Sequence, residues 1–122
     1  MAFTVEYKDP IFWITLSGSI SGKDLMDGAA LMAEEEAKHA VTPDRITDLT
    51  AVAEMQLGFD EIMSLAGLRR TIKFSNPFKS AIVAGNEAQM GFARMFQTLN
   101  NNPKIAIKIF SDRESALAWL AS

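Results

Sequence analysis

The stretch KSAIVAGNEAQMGFARMFQTL, residues 79–99, decides the fold class. Its first part, SAIVAG (80–85), is a short continuous apolar run, the pattern of a strand covered on both faces, with Val83 buried at its centre. Asn86 then offers an N-cap with Gln89 three residues on, and a helix is expected over 86–99. Ala88, Phe92, Met95, Phe96 and Leu99 would form its core face, with Met90 projecting elsewhere. A covered strand running straight into an amphipathic helix is the repeating unit of a mostly parallel α/β sheet.

The same alternation extends in both directions. FTVEY (3–7) and IFWITLSG (11–18) are rich in aromatic and β-branched residues, and Asp9-Pro10 between them favours a turn, so an opening hairpin is expected. Ser21 and Asp24 have the spacing of a capping box for a helix over 22–39 with an inner stripe of Leu25, Met26, Ala29, Met32 and Ala33. DRITDLT (44–50) reads as a strand, and a helix over about 59–75 is stopped by Asn76-Pro77. KIAIKIF (104–110) is a strand, and Ser111 with Glu114 caps a last helix carrying Ala116, Leu117, Trp119 and Leu120. The order β-β-α-β-α-β-α-β-α predicts one α/β domain with a mixed, mostly parallel sheet of about five strands and four helices.

Composition excludes several function classes. At 122 residues the chain is one domain with room for one core. The formal charge of −3 gives no electrostatic case for nucleic-acid binding. Without cysteine there are no disulfides, thiolate metal sites or cysteine nucleophiles, a usage that fits a cytoplasmic protein. MAFTVEYKDP lacks the profile of a signal peptide, and no apolar run approaches a membrane span.

Chemical motifs are few. GSISGKD (18–24) has three residues between its glycines where a phosphate loop needs four, and Asp24 stands where a hydroxyl would bind metal, so it reads as a turn and cap. His39, the only histidine, suits the negative end of the first helix. Glu34, Glu35 and Glu36 read as a solvated helix flank. No nucleophile elbow, paired-histidine metal motif or dinucleotide fingerprint is present, so no catalytic, cofactor or metal residue is assigned.

The element order, together with ITDLTAV leading into a helix, resembles the STAS domain of bacterial anti-sigma-factor antagonists. More closely, the chain resembles the SpoIIAA-like (STAS/Sec14-related) group of small bacterial proteins, in which residues 79–99 and IKIFSDRESALAWL (107–120) have counterparts. The likeness runs from the opening strands to Trp119. In the signalling STAS pattern, D-L-S-x-V-x-x-M-D-S-S-G, a serine opens the helix after the loop. Phosphate there meets free N–H groups and the positive end of the helix dipole. Asp48, Leu49, Thr50, Val52 and Met55 match the first part, but Gln56, Leu57, Gly58 and Phe59 replace the Asp-Ser-Ser-Gly element. The resemblance therefore implies a candidate switch loop at Asp48, Thr50, Leu57 and Gly58 that has lost its acceptor. Thr50 is the nearest hydroxyl, and it reads as bonding local backbone.

The second helix suggests what replaces the switch. Phe59, Ile62, Met63 and Ala66 form one stripe; Leu65, Leu68 and Ile72 form another on a different side, interrupted by Arg69, Arg70 and Lys73. One stripe can face the sheet, and the other needs a neighbouring helix, a partner or a ligand. Leu65, Leu68, Arg69, Ile72 and Met90 are thus the candidate contact surface. Two functions follow as expectations. One is a non-catalytic STAS-like interaction module contacting a protein partner or a second copy of itself. The other, implied by the Sec14-related side of the resemblance, is binding of a small apolar ligand, a lipid or a membrane surface.

Overall fold

A computed structural model describes residues 2–8, 10–100 and 102–122. The elements are β1 (Phe3–Lys8), β2 (Ile11–Ser21), α1 (Gly22–Glu36), β3 (Asp44–Gln56), α2 (Phe59–Thr71), β4 (Phe78–Val83), α3 (Glu87–Leu99), β5 (Ile105–Phe110) and α4 (Arg113–Ala121). They form one five-stranded sheet in the order β1-β2-β3-β4-β5. β1 and β2 pair antiparallel, with Lys8 opposite Ile11, and every later pairing is parallel. The expected Asp9-Pro10 turn rests on Asp9, which lies outside the described residues.

Because strands 2 to 5 are added in one direction, right-handed crossovers bring α1, α2 and α3 to one face. That face is built on Phe12, Ile14, Leu16, Leu49 and Ile82, with Phe92 and Phe96 of α3 packed against it. The opposite face carries Ile46, Ala81 and Val83 under Ala116 and Leu120 of α4. Strand alternation sets these roles: on β4, Ile82 points to one helical layer and Val83 to the other. Val83 is buried as expected.

Several boundaries differ from the sequence reading. β2 and β3 both run past their expected ends, because residues 17–21 of β2 pair with 51–56 of β3. Two register shifts make that extension possible, and Gly18 at φ +72° takes a left-handed conformation beside the second. α2 stops at Thr71, where the Nδ2 amide of Asn102 donates to the carbonyls of Arg69, Arg70 and Ile72. This is how a neighbouring side chain satisfies the orphan carbonyls of a helix end. α4 is capped by Asp112, which accepts from the backbone N–H of Ser115 at 2.7 Å, so the expected Ser111–Glu114 cap is displaced by one residue. The Ser21–Asp24 capping box and the Asn86 cap form as expected.

α1 ends at Glu36, three residues before His39, and its buried stripe is Leu25, Gly28, Met32 and Glu36. Met26 and Ala33 turn outward. His39 lies just past the helix end, its N–H donating to the Glu36 carbonyl at 3.1 Å. Its ring packs on Tyr7 at 4.5 Å and on Phe12 at 5.2 Å between centroids. Among the described residues, no helix is long and apolar enough to cross a membrane.

Candidate functional site

Three charged side chains meet beneath the helical layer. Glu36 closes the inner stripe of α1, Arg69 closes that of α2, and Arg45 lies on the same face of β3 as Thr47 and Leu49. Arg69 grips Glu36 with both guanidinium nitrogens at 2.7 and 2.8 Å, and Arg45 Nη2 donates to Glu36 Oε2 at 2.7 Å. All three are at least nine-tenths buried. Burial favours the neutral form of Glu36, but the two guanidiniums outweigh it and hold its carboxyl below the ordinary range. Burial and the repulsion of Arg69 bring Arg45 down to about 10 despite Glu36 and the more remote Asp44. The Arg45 guanidinium also lies over the Phe78 ring, 4.3 Å from its centroid.

Against this cluster lies a cavity of about 100 Å³ between the sheet and α1–α3. Its walls are mostly apolar, drawn from Leu25 and Met32 of α1, Leu49 of β3, Leu65 of α2 and Phe92 and Phe96 of α3. Its polar lining is Arg45, Arg69, Thr47, Ser80 and Asn100. Among the described residues, two buried polar atoms of this lining have no hydrogen-bond partner: Nε of Arg45 and Oδ1 of Asn100. Phe3, Ala29, Phe92 and Phe96, from β1, α1 and α3, are half-buried, so part of the lining reaches the surface.

The sequence reading placed Arg69 and Leu65 on an outer surface; both are buried. At about 100° per residue, Ile62, Leu65, Ala66 and Arg69 share one face, so α2 buries the seam between its two apolar stripes rather than either stripe. Phe59 and Met63 are left exposed on one flank of that face and Leu68 on the other, while Ile72 is half-buried. Met90 is not a free projection either: it packs partly against the core and borders an open groove with Gly85, Asn86, Arg94 and Ser111. On α3 the buried positions are Gln89 and Ala93, with Ala88 exposed. Gln89 accepts from the Gly85 N–H at 2.7 Å and donates to the Val52 carbonyl at 3.0 Å, tying α3 to β3. Glu36 is no solvated flank.

The expected switch loop is also rebuilt. Asp48 and Thr50 lie inside β3, and only Leu57 and Gly58 separate β3 from α2. At the first register shift, Thr50 donates both its N–H and its hydroxyl to Asp48 Oδ1, at 2.8 and 2.6 Å. The other Asp48 oxygen accepts from Nε of Arg113 on α4 at 2.8 Å. Burial works against the Asp48 charge, but the Thr50 and Arg113 bonds prevail and its pKa lies below the usual carboxylate value. Leu57 is half-buried against the core, and the Gly58 N–H donates to the Glu61 carboxylate. Thr50 thus bonds locally, as the sequence suggested. Among the described residues, no three acidic or histidine side chains stand together to hold a metal.

No family model matches the chain, and no curated protein matches it. Solved structures do. An uncharacterized protein of the DUF3478 family with a SpoIIAA-like fold, from Shewanella loihica, superposes with a TM-score of 0.63 at 19% identity, covering 98% of this chain and 92% of that one. An anti-sigma factor antagonist from Mycobacterium paratuberculosis superposes with a TM-score of 0.60 at 14% identity, covering 98% and 93%. Over essentially its whole length, the chain has the SpoIIAA-like fold that the anti-sigma factor antagonist shares.

Proposed function

We propose that the protein is a non-catalytic binding module of STAS-like fold that takes up a small apolar ligand between its sheet and the α1–α3 layer. The observation that carries this reading is the cavity itself. Packed interiors leave few voids larger than a water, and each void forfeits dispersion contacts along its lining. At about 100 Å³ the space is of the order that holds one small apolar molecule and is too small for a whole acyl chain. With Arg69 bound to Glu36, the cations that interrupt the outer surface of α2 and could meet a lipid headgroup are reduced to Arg70 and Lys73. Xenon, a neutral probe, tests the reading. Under xenon pressure the methyl resonances of Leu25, Leu49 and Leu65 should shift selectively, and an absence of selective shifts overturns it.

A second reading is a protein-interaction module, favoured by the exposure of Phe59 at 50% and Met63 at 43% on adjacent turns of α2. Sedimentation of the wild type and of Phe59→Ser/Met63→Ser tests it. Concentration-dependent association that the double variant loses supports a second copy as the partner, and a monomer at all concentrations removes that form of it.

A further inference from the structure

The geometry points to a short-chain carboxylate as the cavity's ligand, its alkyl part against the apolar wall and its carboxylate at the Arg45–Asn100 end. This rests on the cavity being a binding site and adds the ligand's chemical class.

The argument begins with charge. Two buried guanidiniums share one carboxylate, so the Arg45–Glu36–Arg69 cluster keeps a net formal charge of +1 away from water, offset only in part by the more remote Asp44 and the negative ends of α1 and α2. An isolated buried charge is costly, and an arriving anion is the partner that relieves it. Asp44 does not play that part at close range: the ion-pair partner of Arg45 is Glu36, and Asp44 acts on it only from farther away.

Hydrogen bonding points the same way. Arg45 spends Nη2 on Glu36, while its Nε–H is buried without a partner in a side chain that lines the cavity. Buried donors are rarely left unpaired, and a guanidinium edge matches a carboxylate in geometry and charge. Asn100, the C-cap of α3, lines the same cavity with an unpaired Oδ1. A half-turn of its amide presents N–H donors in place of that oxygen. A cation is disfavoured by the cluster's net formal charge, and a neutral molecule brings no counter-charge. The apolar remainder of the wall requires an alkyl body, and the volume limits it to a few carbons.

Butanoate and butanamide, which differ in charge and hardly in shape, provide the test, with binding to the wild-type protein followed by amide and methyl chemical shifts. Butanoate should bind at least about tenfold more tightly than butanamide, with shifts at Arg45, Asn100 and Leu25. Arg45→Met, checked for folding by circular dichroism, should abolish that preference while retaining butanamide binding. Equal affinity of the two probes for the wild type overturns the carboxylate inference and leaves the cavity reading standing, and this comparison requires no variant to fold. Binding of neither probe, with no xenon shifts, overturns both. A folded Arg45→Met protein that keeps the preference also overturns the inference.

Discussion

Arg69 of α2 and Glu36 of α1 are joined end to end, Nη1 to Oε1 at 2.8 Å and Nη2 to Oε2 at 2.7 Å, 33 residues apart in sequence. A glutamate in the last turn of a helix opposes the helix dipole, so the position is tolerable because two guanidiniums meet it. Glu36→Gln keeps the shape and removes the charge, leaving two buried arginines to repel one another. It should cost about 3–5 kcal/mol in a urea melt. Replacing the whole cluster, as Arg45→Met/Glu36→Leu/Arg69→Met, should cost less than Glu36→Gln alone, since no buried charge is then orphaned. If the single change is silent, the cluster is not buried as described.

Acid should unfold the protein through its buried carboxyls. Glu36 and Asp48 both bind protons less readily folded than unfolded, so the unfolded chain takes up more protons as pH falls. The stability they contribute is complete above the ordinary carboxyl range near about 4, and is lost as the pH drops through it toward their lower folded values. Asp24 of the α1 capping box and the α4 cap Asp112 act in the same direction. The midpoint of urea unfolding should be flat near neutrality and fall steeply below about pH 4, and Asp48→Asn should make that acid limb shallower.

The periodicity that revealed the helices also contained the cluster. Leu25, Gly28 and Met32 continue at helical spacing to Glu36, and Ile62, Leu65 and Ala66 continue to Arg69. Both charged residues were legible as inward-facing by position, and residue type concealed them: a Glu-Glu-Glu run reads as a solvated flank, and an Arg-Arg pair reads as part of an outer contact surface. Nor does local sequence pair a glutamate with an arginine 33 residues away; that requires α1 and α2 to lie side by side on the sheet. The element order and the mostly parallel pairing were legible because alternation and crossover handedness are general rules. The length of β3 was not, because it depends on β2 continuing past Gly18 and on two register shifts. The cavity is a property of side-chain packing, and no stretch of sequence announces it.

Leu65 and Leu68 separate core from surface on a single helix. Leu65 is 8% exposed and packs in the main core, while Leu68 is 47% exposed. Leu65→Glu should unfold the domain or cost several kcal/mol by burying an unpaired carboxylate. Leu68→Glu should move stability by no more than about 0.5 kcal/mol, because the charge stays in water. Thermal melts of the two variants check the contrast, and equal losses would show the helix to be rotated from the orientation described.

Gly28 is where α1 rides over β1. A Cβ on this glycine would stand 2.4 Å from Cδ2 and 2.7 Å from Cγ of Phe3, so the whole ring has to move. Gly28→Ala gains about 1 kcal/mol of helix propensity, yet the displaced ring should cost about 1–3 kcal/mol, for a net loss. In a Phe3→Leu background the clash is relieved, and the same substitution should become neutral or stabilising. A double-mutant cycle measures the coupling, and additivity within about 0.5 kcal/mol would mean that the two residues are not in contact.

Phosphorylation should be absent from the segment that the STAS resemblance marks as a switch. Leu57 and Gly58 supply no hydroxyl, and the hydroxyl of Thr50 is held against Asp48 at 2.6 Å within β3. A phosphate on Thr50 would stand beside the Asp48 carboxylate and disrupt the turn that the two residues make at the register shift. Near the start of α2, Asp60 and Glu61 already place negative charge in the first turn, and Glu61 accepts from the Gly58 N–H. A further anion there would meet repulsion from these two carboxylates. Incubation with kinases of the anti-sigma type, followed by intact-mass measurement, should leave the mass unchanged. Stoichiometric addition of a phosphate mapped to residues 48–60 would show that the segment still opens to a kinase and that the scaffold has kept its switch.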